Sequence, residues 1–198
     1  MTIAPAAVLD FSRFEVFSEP FPYAVAPRVF DCDLSNDILS WLETGAPWKL
    51  VETDFYEQYE FNFLDAEPPA RLGFLQDQGF RDILRDGVQK LFGVRLGRRV
   101  DATAHKLIRG QRIRIHNDYI QGAETHRLLV QLNRGWEDED GGLLLFFNSP
   151  DPANIHKIFR PVNESAVAFA ISSDSHHAVT TIHGGGRYTL VYSFYTEM

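Results

Sequence analysis

The sequence predicts a mainly β protein: a sandwich or barrel-like jelly roll over residues 98–198, with a helical layer supplied by residues 1–97. Three observations predict it. The apolar period changes from helical to strictly alternating near residue 98. Clusters of Gly, Asn, Asp and Pro then divide the alternating region into short segments, as in all-β sandwiches and barrels. The 198 residues include 44% hydrophobic and 23% charged residues, ordinary globular usage that rules out disorder as the main state and suffices for one domain over 1–198.

The elements follow in order. Asp33-Leu34-Ser35-Asn36 offers N-caps for a helix through Ile38, Leu39, Trp41 and Leu42, ended by Gly45 and Pro47. Pro68 and Pro69 open a second helical stretch, in which Phe80, Ile83, Leu84, Val88, Leu91 and Phe92 recur at helical spacing up to Gly93. Between them, TDFYEQYEFNF reads as a strand or an aromatic loop. Phe55, Tyr59, Phe61 and Phe63 share the odd-numbered phase of one strand face, which favours core packing over a substrate loop. Strands are expected at about 100–108, 112–117, 127–133, 142–147, 165–171, 176–182 and 187–195. Arg109-Gly110, Asp140-Gly141-Gly142, Asn148 to Pro152 and Gly184-Gly185-Gly186 supply the turns.

Composition excludes several functions. A net charge of −8 disfavours binding to nucleic acid through its phosphates. The single cysteine, Cys32, leaves no internal disulfide framework or thiolate cluster and suits a reducing cytoplasm, where the chain is expected to reside. The N-terminal stretch lacks a basic region and meets Asp10 early, which argues against a cleaved leader, and no apolar run reaches membrane-spanning length. Neither nucleic acid nor a membrane is an expected partner, and no oligomeric state is assigned.

The chemistry concentrates in a few positions. His116-Asn117-Asp118 is the one His-x-Asp in the chain, and on a strand its two ligand types would face the same side. His177 is the one histidine followed by an arginine ten residues on, Arg187. A hairpin over Gly184–Gly186 would set that guanidinium one short reach deeper than a metal held by the histidines, about the length of a small dicarboxylate. Thr189 would face the same way. Two His and one carboxylate leave three metal positions open, the ligand set of non-haem Fe(II) oxygenases.

In this order and context, IRGQRIRIHND, RLLVQLNRGWEDEDGGLLLFF and RPVNESAVAFAISSDSHHAVTTIHGGGRYTLVYSFY resemble the catalytic core of the Fe(II)/2-oxoglutarate-dependent dioxygenases, in their prolyl 4-hydroxylase-like branch. The resemblance covers about half the chain and implies a double-stranded β-helix. It implies that His116, Asp118 and His177 hold Fe(II), and that Arg187, assisted by Thr189, pairs with the distal carboxylate of 2-oxoglutarate. It further implies O₂ as cosubstrate, ascorbate as a reductant, and hydroxylation of an unactivated C–H bond with release of succinate and CO₂. By the same analogy the substrate is an amino-acid residue in a peptide or protein, with a free amino acid or peptide natural product as the alternative. Many relatives place a tyrosine about ten residues before the first histidine to hold that carboxylate. Position 106 is lysine here, so Lys106 either replaces it or is exposed.

Other residues carry weaker signals. His177, rather than His176, matches the S-x-H-x-V phase and the Arg spacing. Arg127 and Tyr119 are assigned to the substrate side of the pocket, Arg127 against the alternative of a solvated strand end. Asn133 and Trp136 read as structural, and the Glu137–Asp140 acidic run as a solvated turn. His105, His126, His156 and His183 have no evident partner. Two further classes compete: a zinc-dependent hydrolase, which leaves Arg187 unexplained, and a non-enzymatic jelly-roll binding protein.

Overall fold

The computed structural model describes residues 9–197. The N-terminal stretch read for a leader begins in residues 1–8, outside the described residues.

Alternation along the strands builds the architecture. An eight-stranded antiparallel sheet has the order β1-β2-β10-β7-β12-β5-β4-β3, and a four-stranded sheet the order β6-β11-β8-β9. In the larger sheet β1 is Glu15–Phe17, β2 Tyr23–Ala26, β3 Lys49–Glu52, β4 Glu57–Asn62, β5 Leu96–Ile108, β7 His126–Gln131, β10 Ala166–Ala170 and β12 Gly186–Thr196. The smaller comprises β6 Ile113–His116, β8 Leu144–Phe147, β9 Ile155–Phe159 and β11 His177–Val179. This is the double-stranded β-helix arrangement expected.

Two helices cover one face of the large sheet. Helix α1, Cys32–Thr44, starts at Asp31, whose side chain accepts from the Leu34 amide at 2.8 Å, so the cap lies just before the Asp33–Asn36 cluster. Helix α2, Gln78–Phe92, ends at Gly93 in the left-handed conformation, after a 3-10 segment over Ala70–Gln76. Ile38, Leu42, Phe80, Leu84 and Val88 pack on Ala102, Ala104, Leu128, Leu190, Tyr192 and Phe194. These even-numbered strand residues form the outer apolar face. Leu107, Leu129, Val167, Phe169 and Val191 point the opposite way and join Leu144, Phe146 and Val179 of the small sheet in a second core.

Residues 1–97 are less helical than expected, since β1 to β4 extend the large sheet at both edges. The helices lie where the periodicity puts them, but three of these strands, and β9, have no counterpart in the sequence reading. Each has three to five residues, too few to display a period, and β9 is exposed over Ile155–Ile158.

Leu84 is completely buried between α2 and the large sheet. Leu84→Ala is expected to cost about 2–5 kcal/mol of stability, read as a lowered denaturant midpoint in chemical unfolding.

Candidate active site

Three ligand atoms converge between the two sheets. His116 ends β6, His177 starts β11, and the two are direct cross-strand partners. Asp118 follows in the loop after β6. Its Oδ2 lies 3.4 Å from His116 Nε2 and 3.1 Å from His177 Nε2. The expected strand geometry for His116 and Asp118 is therefore corrected. Strand β6 stops at His116, and Asp118 turns inward because its backbone is left-handed, with φ at +56°. Such a φ is uncommon outside glycine, is tolerated by Asp, and clusters at functional sites. The loop is held by Asn117, whose Nδ2 donates to the Ser173 carbonyl at 2.9 Å and whose Oδ1 accepts from the Tyr119 amide at 3.1 Å.

The second nitrogen of each ring sets its chemistry. His116 Nδ1 donates to the Arg114 carbonyl at 2.8 Å, and His177 Nδ1 to the Ser175 carbonyl at 2.7 Å. A carbonyl only accepts, so in each neutral ring the proton sits on Nδ1 and a lone pair on Nε2. Burial pushes the His177 pKa down, keeping that ring neutral. Two lone pairs and a carboxylate oxygen facing one point form a set of electron-pair donors that a divalent cation completes. The carbonyls orient the rings as outer partners of metal-bound histidines do. His176, its neighbour in sequence, faces the other way, beside Tyr119 and Pro150.

Arg187 and Thr189 line the same cavity, of about 270 Å³. They reach it differently from the expected hairpin: β11 and β12 belong to opposite sheets, so His177 and Arg187 meet across the interior. Arg187 is 4% exposed; its Nη1 donates to Thr189 Oγ1 at 3.0 Å, and Thr189 Oγ1 donates to Gln131 Oε1 at 2.9 Å. Arg187 Nε has no hydrogen-bond partner. Burial pulls its pKa down to about 10, which still leaves it charged at neutral pH. A buried cation with an unused donor fits a carboxylate ligand. Gly142, in the acidic turn motif, makes room for it: a Cβ there would stand 3.0 Å from Arg187 Cδ and 2.6 Å from Ile182 Cδ1. Asn133, buried, brackets Tyr188 by accepting from its amide at 2.7 Å and donating to its carbonyl at 3.2 Å, which fixes the strand between Arg187 and Thr189.

Three expected roles change. Lys106 does not face the cavity. It is opposite Tyr188 and Tyr59 in register, on the helix-side face of β5, with its Nζ 5.6–5.8 Å from the rings of Trp48, Tyr59 and Tyr188. The preceding residue, His105, takes the inward position instead. Arg127 does line the cavity, but its donors are taken. Nε and Nη2 bind Glu124 at 2.9 and 2.7 Å, and Nη1 binds Asp118, so it holds that carboxylate rather than standing free for substrate. Tyr119 is 49% exposed and lies outside the cavity that holds Arg187, in an adjoining depression with Phe55, Ile120 and His176.

The aromatic run of β4 is divided. Phe61 and Phe63 enter the helix-side core as the phase predicts, while Phe55, Tyr56, Gln58 and Glu60 line the cavity. Beyond the polar residues alternating with the β4 aromatics, the sequence gives no sign that Gln58 and Glu60 face the cavity, nor that His105, left without a partner above, joins them there.

A profile of the 2OG-Fe(II) oxygenase superfamily matches residues 102–195, the stretch that holds the triad, Arg187 and Thr189. Over that stretch the chain belongs to the 2-oxoglutarate/Fe(II) oxygenase superfamily. It is a 2-oxoglutarate-dependent dioxygenase, whose chemistry uses Fe(II), 2-oxoglutarate and O₂. Its fold is prolyl 4-hydroxylase-like. A Pseudomonas putida prolyl-4-hydroxylase is similar over 98% of this chain and 100% of its own, at 17% identity and a TM-score of 0.71. A Trichoplax adhaerens prolyl hydroxylase, solved with a hypoxia inducible factor peptide fragment, aligns at 13% identity and TM-score 0.66, over 87% and 83% of the two chains. The viral collagen prolyl hydroxylase from Paramecium Bursaria Chlorella virus-1, solved with 2OG, aligns at 13% and 0.59, over 88% and 96%. No curated protein matches the sequence. No helix among the described residues is long and apolar enough to cross a membrane.

Two outcomes follow from the charges of the oxygenase site. Arg127→Met leaves Asp118 and Glu124 unpaired in a largely buried setting and is expected to cost the metal-free chain about 3–5 kcal/mol in denaturant unfolding. Burial, with Arg127 and Arg187 nearby, pulls the His105 pKa down to about 3. Because the unfolded chain binds that proton more readily, the stability contribution is complete above about pH 6.5 and is lost as pH falls towards 3. His105→Gln should therefore lose less stability than wild type across that window, in unfolding measured at successive pH values.

Proposed function

We propose that His116, Asp118 and His177 hold the Fe(II), and that Arg187, with Thr189, takes the distal carboxylate of 2-oxoglutarate. The enzyme then hydroxylates an unactivated C–H bond of an amino-acid residue in a peptide or protein, with release of succinate and CO₂. The observation that carries this reading is the buried Arg187 with its unpartnered Nε, in one cavity with a cluster of three electron-pair donors. A zinc hydrolase would have no use for that guanidinium.

Iron with the keto-acid supplies the oxidising power when bound; the chain's residues bind, orient and exclude water. Thr189 and Gln131 hold the Arg187 fork in a fixed direction. Arg127 holds Asp118 while Glu124 occupies its other donors. Phe169, Leu129, Leu144, Val179 and Val191 give the cavity apolar walls that limit water near the reacting carbon.

A peptide or protein substrate is supported by the surface beside the triad. Tyr119 at 49% and Ile120 at 69% exposure flank a depression that continues from His116 and Asp118. An extended chain would lay apolar side chains there while one residue enters the cavity. The Trichoplax relative was solved with a peptide.

The test is anaerobic titration of metal-free protein with Fe(II) and 2-oxoglutarate, following the visible charge-transfer absorption of the chelate. Wild type should develop the band. Arg187→Ala should need roughly tenfold or more 2-oxoglutarate to reach it, from loss of a charge-assisted bidentate contact. His177→Ala should abolish it and His176→Ala preserve it. A wild type without the band at saturating iron would overturn the assignment.

A further inference from the structure

One acidic group in the cavity has no cationic partner. Glu60, on β4, has its side chain 27% exposed on the cavity wall, and its Oε2 accepts from Gln58 Nε2 at 3.0 Å. Among the described residues no lysine or arginine nitrogen lies within 4 Å of its carboxylate. The nearest ionisable nitrogen is His105 Nε2 at 3.9 Å, on a ring that stays neutral at ordinary pH because it is buried among arginines. Lys49 is opposite Glu60 in register, but is exposed and makes no ion pair with it.

Beside it lies a second unused acceptor. Gln58 is 2% exposed, lines the cavity, and its Oε1 has no hydrogen-bond partner. A buried carbonyl without a donor is costly unless a ligand satisfies it. The rings of Phe55 and Tyr56 line the same wall and suit the methylene stem or face of a cation.

The remaining charges of the cavity are committed. Asp118 is paired with Arg127, and Arg187 is the cation with a free donor. On the reading above, the carboxylate of 2-oxoglutarate takes Arg187, which leaves Glu60 and Gln58 as two acceptors facing the substrate. We infer that the substrate carries a cationic nitrogen, an ammonium or guanidinium, which Glu60 and Gln58 receive while the oxidisable carbon lies at the triad. This rests on the oxygenase reading and narrows its substrate class: a peptide with a lysine, an arginine or a free α-amine next to the reacting residue. Glu60 is here a specificity residue and takes no part in metal or 2-oxoglutarate binding.

The experiment uses the chain loaded anaerobically with Fe(II) and 2-oxoglutarate. The probes are short peptides around one proline in matched pairs: lysine against norleucine, arginine against citrulline, a free N-terminus against its acetyl form. Dissociation constants are measured by calorimetry, and succinate release is followed after oxygen is admitted. In at least one pair the cationic member should bind about tenfold or more tightly, as a charge-assisted bond supplies. Glu60→Gln should bring that pair within about threefold by weakening only the cationic member, which a general structural role would not do. Glu60→Ala provides a second variant with the same expectation. Equal binding of every pair by wild type overturns the inference, as does a preference that survives Glu60→Gln. A preference that emerges only in Lys49→Ala also overturns it, because Lys49 would then neutralise Glu60 in the native chain. The charge-transfer absorption recorded before peptide is added reports separately on the iron and 2-oxoglutarate reading, and the paired constants are measured with or without it.

Discussion

Alternation along β5 and β12, the two longest strands, is the constraint on which the rest depends. These strands pair from Gly186↔Ile108 to Phe194↔Val100, so one register sorts every side chain between two environments. Tyr188, Leu190, Tyr192 and Phe194 go to the helices; Arg187, Thr189, Val191 and Ser193 go to the cavity. A slip of one residue would bury the helix-facing aromatics in the cavity and put Arg187 against α1 and α2. The burial that stabilises the outer core thus also aims the guanidinium.

The site concentrates polar groups that a core ordinarily rejects. Their cost is offset locally: Arg127 serves Asp118 and Glu124, two carbonyls serve the histidine rings, and Thr189 with Gln131 serves Arg187. What stays unsatisfied is informative. Arg187 Nε and Gln58 Oε1, one donor and one acceptor, are buried on the cavity wall without a hydrogen-bond partner. The left-handed Asp118 belongs to the same logic, since local strain is tolerated where surrounding contacts determine the loop.

Two sheets contribute to the site, and the contributions differ in kind. The small sheet supplies both histidines on adjacent strands, which makes their spacing insensitive to distant changes. The large sheet supplies Arg187, Thr189, Arg127 and the Gln58–Glu60 wall. Opposing these faces across the apolar core of Phe146, Phe169 and Val179 encloses the cavity, so packing between sheets sets the distance from the His116–Asp118–His177 cluster to Arg187.

The sequence by itself determined which residues could carry chemistry together. The His-x-Asp motif, the histidine with arginine ten residues on, and the acidic Gly-Gly turn are local patterns whose chemistry is legible without coordinates. The long helices and long strands were legible for the same reason, since a period needs several residues to show itself. Tertiary structure alone decided which faces met. His177 and Arg187 oppose each other from different sheets rather than along a hairpin, because partner choice among strands depends on contacts distant in sequence. Lys106 gave way to His105, because register with Tyr188 and Thr189 selects the inward residue. Gln58 and Glu60 entered the cavity because β4 joins the edge of β5, while the aromatics alternating with them filled the helix-side core. Sequence spacing specifies which side chains share a face; only the packed sheets specify what that face meets.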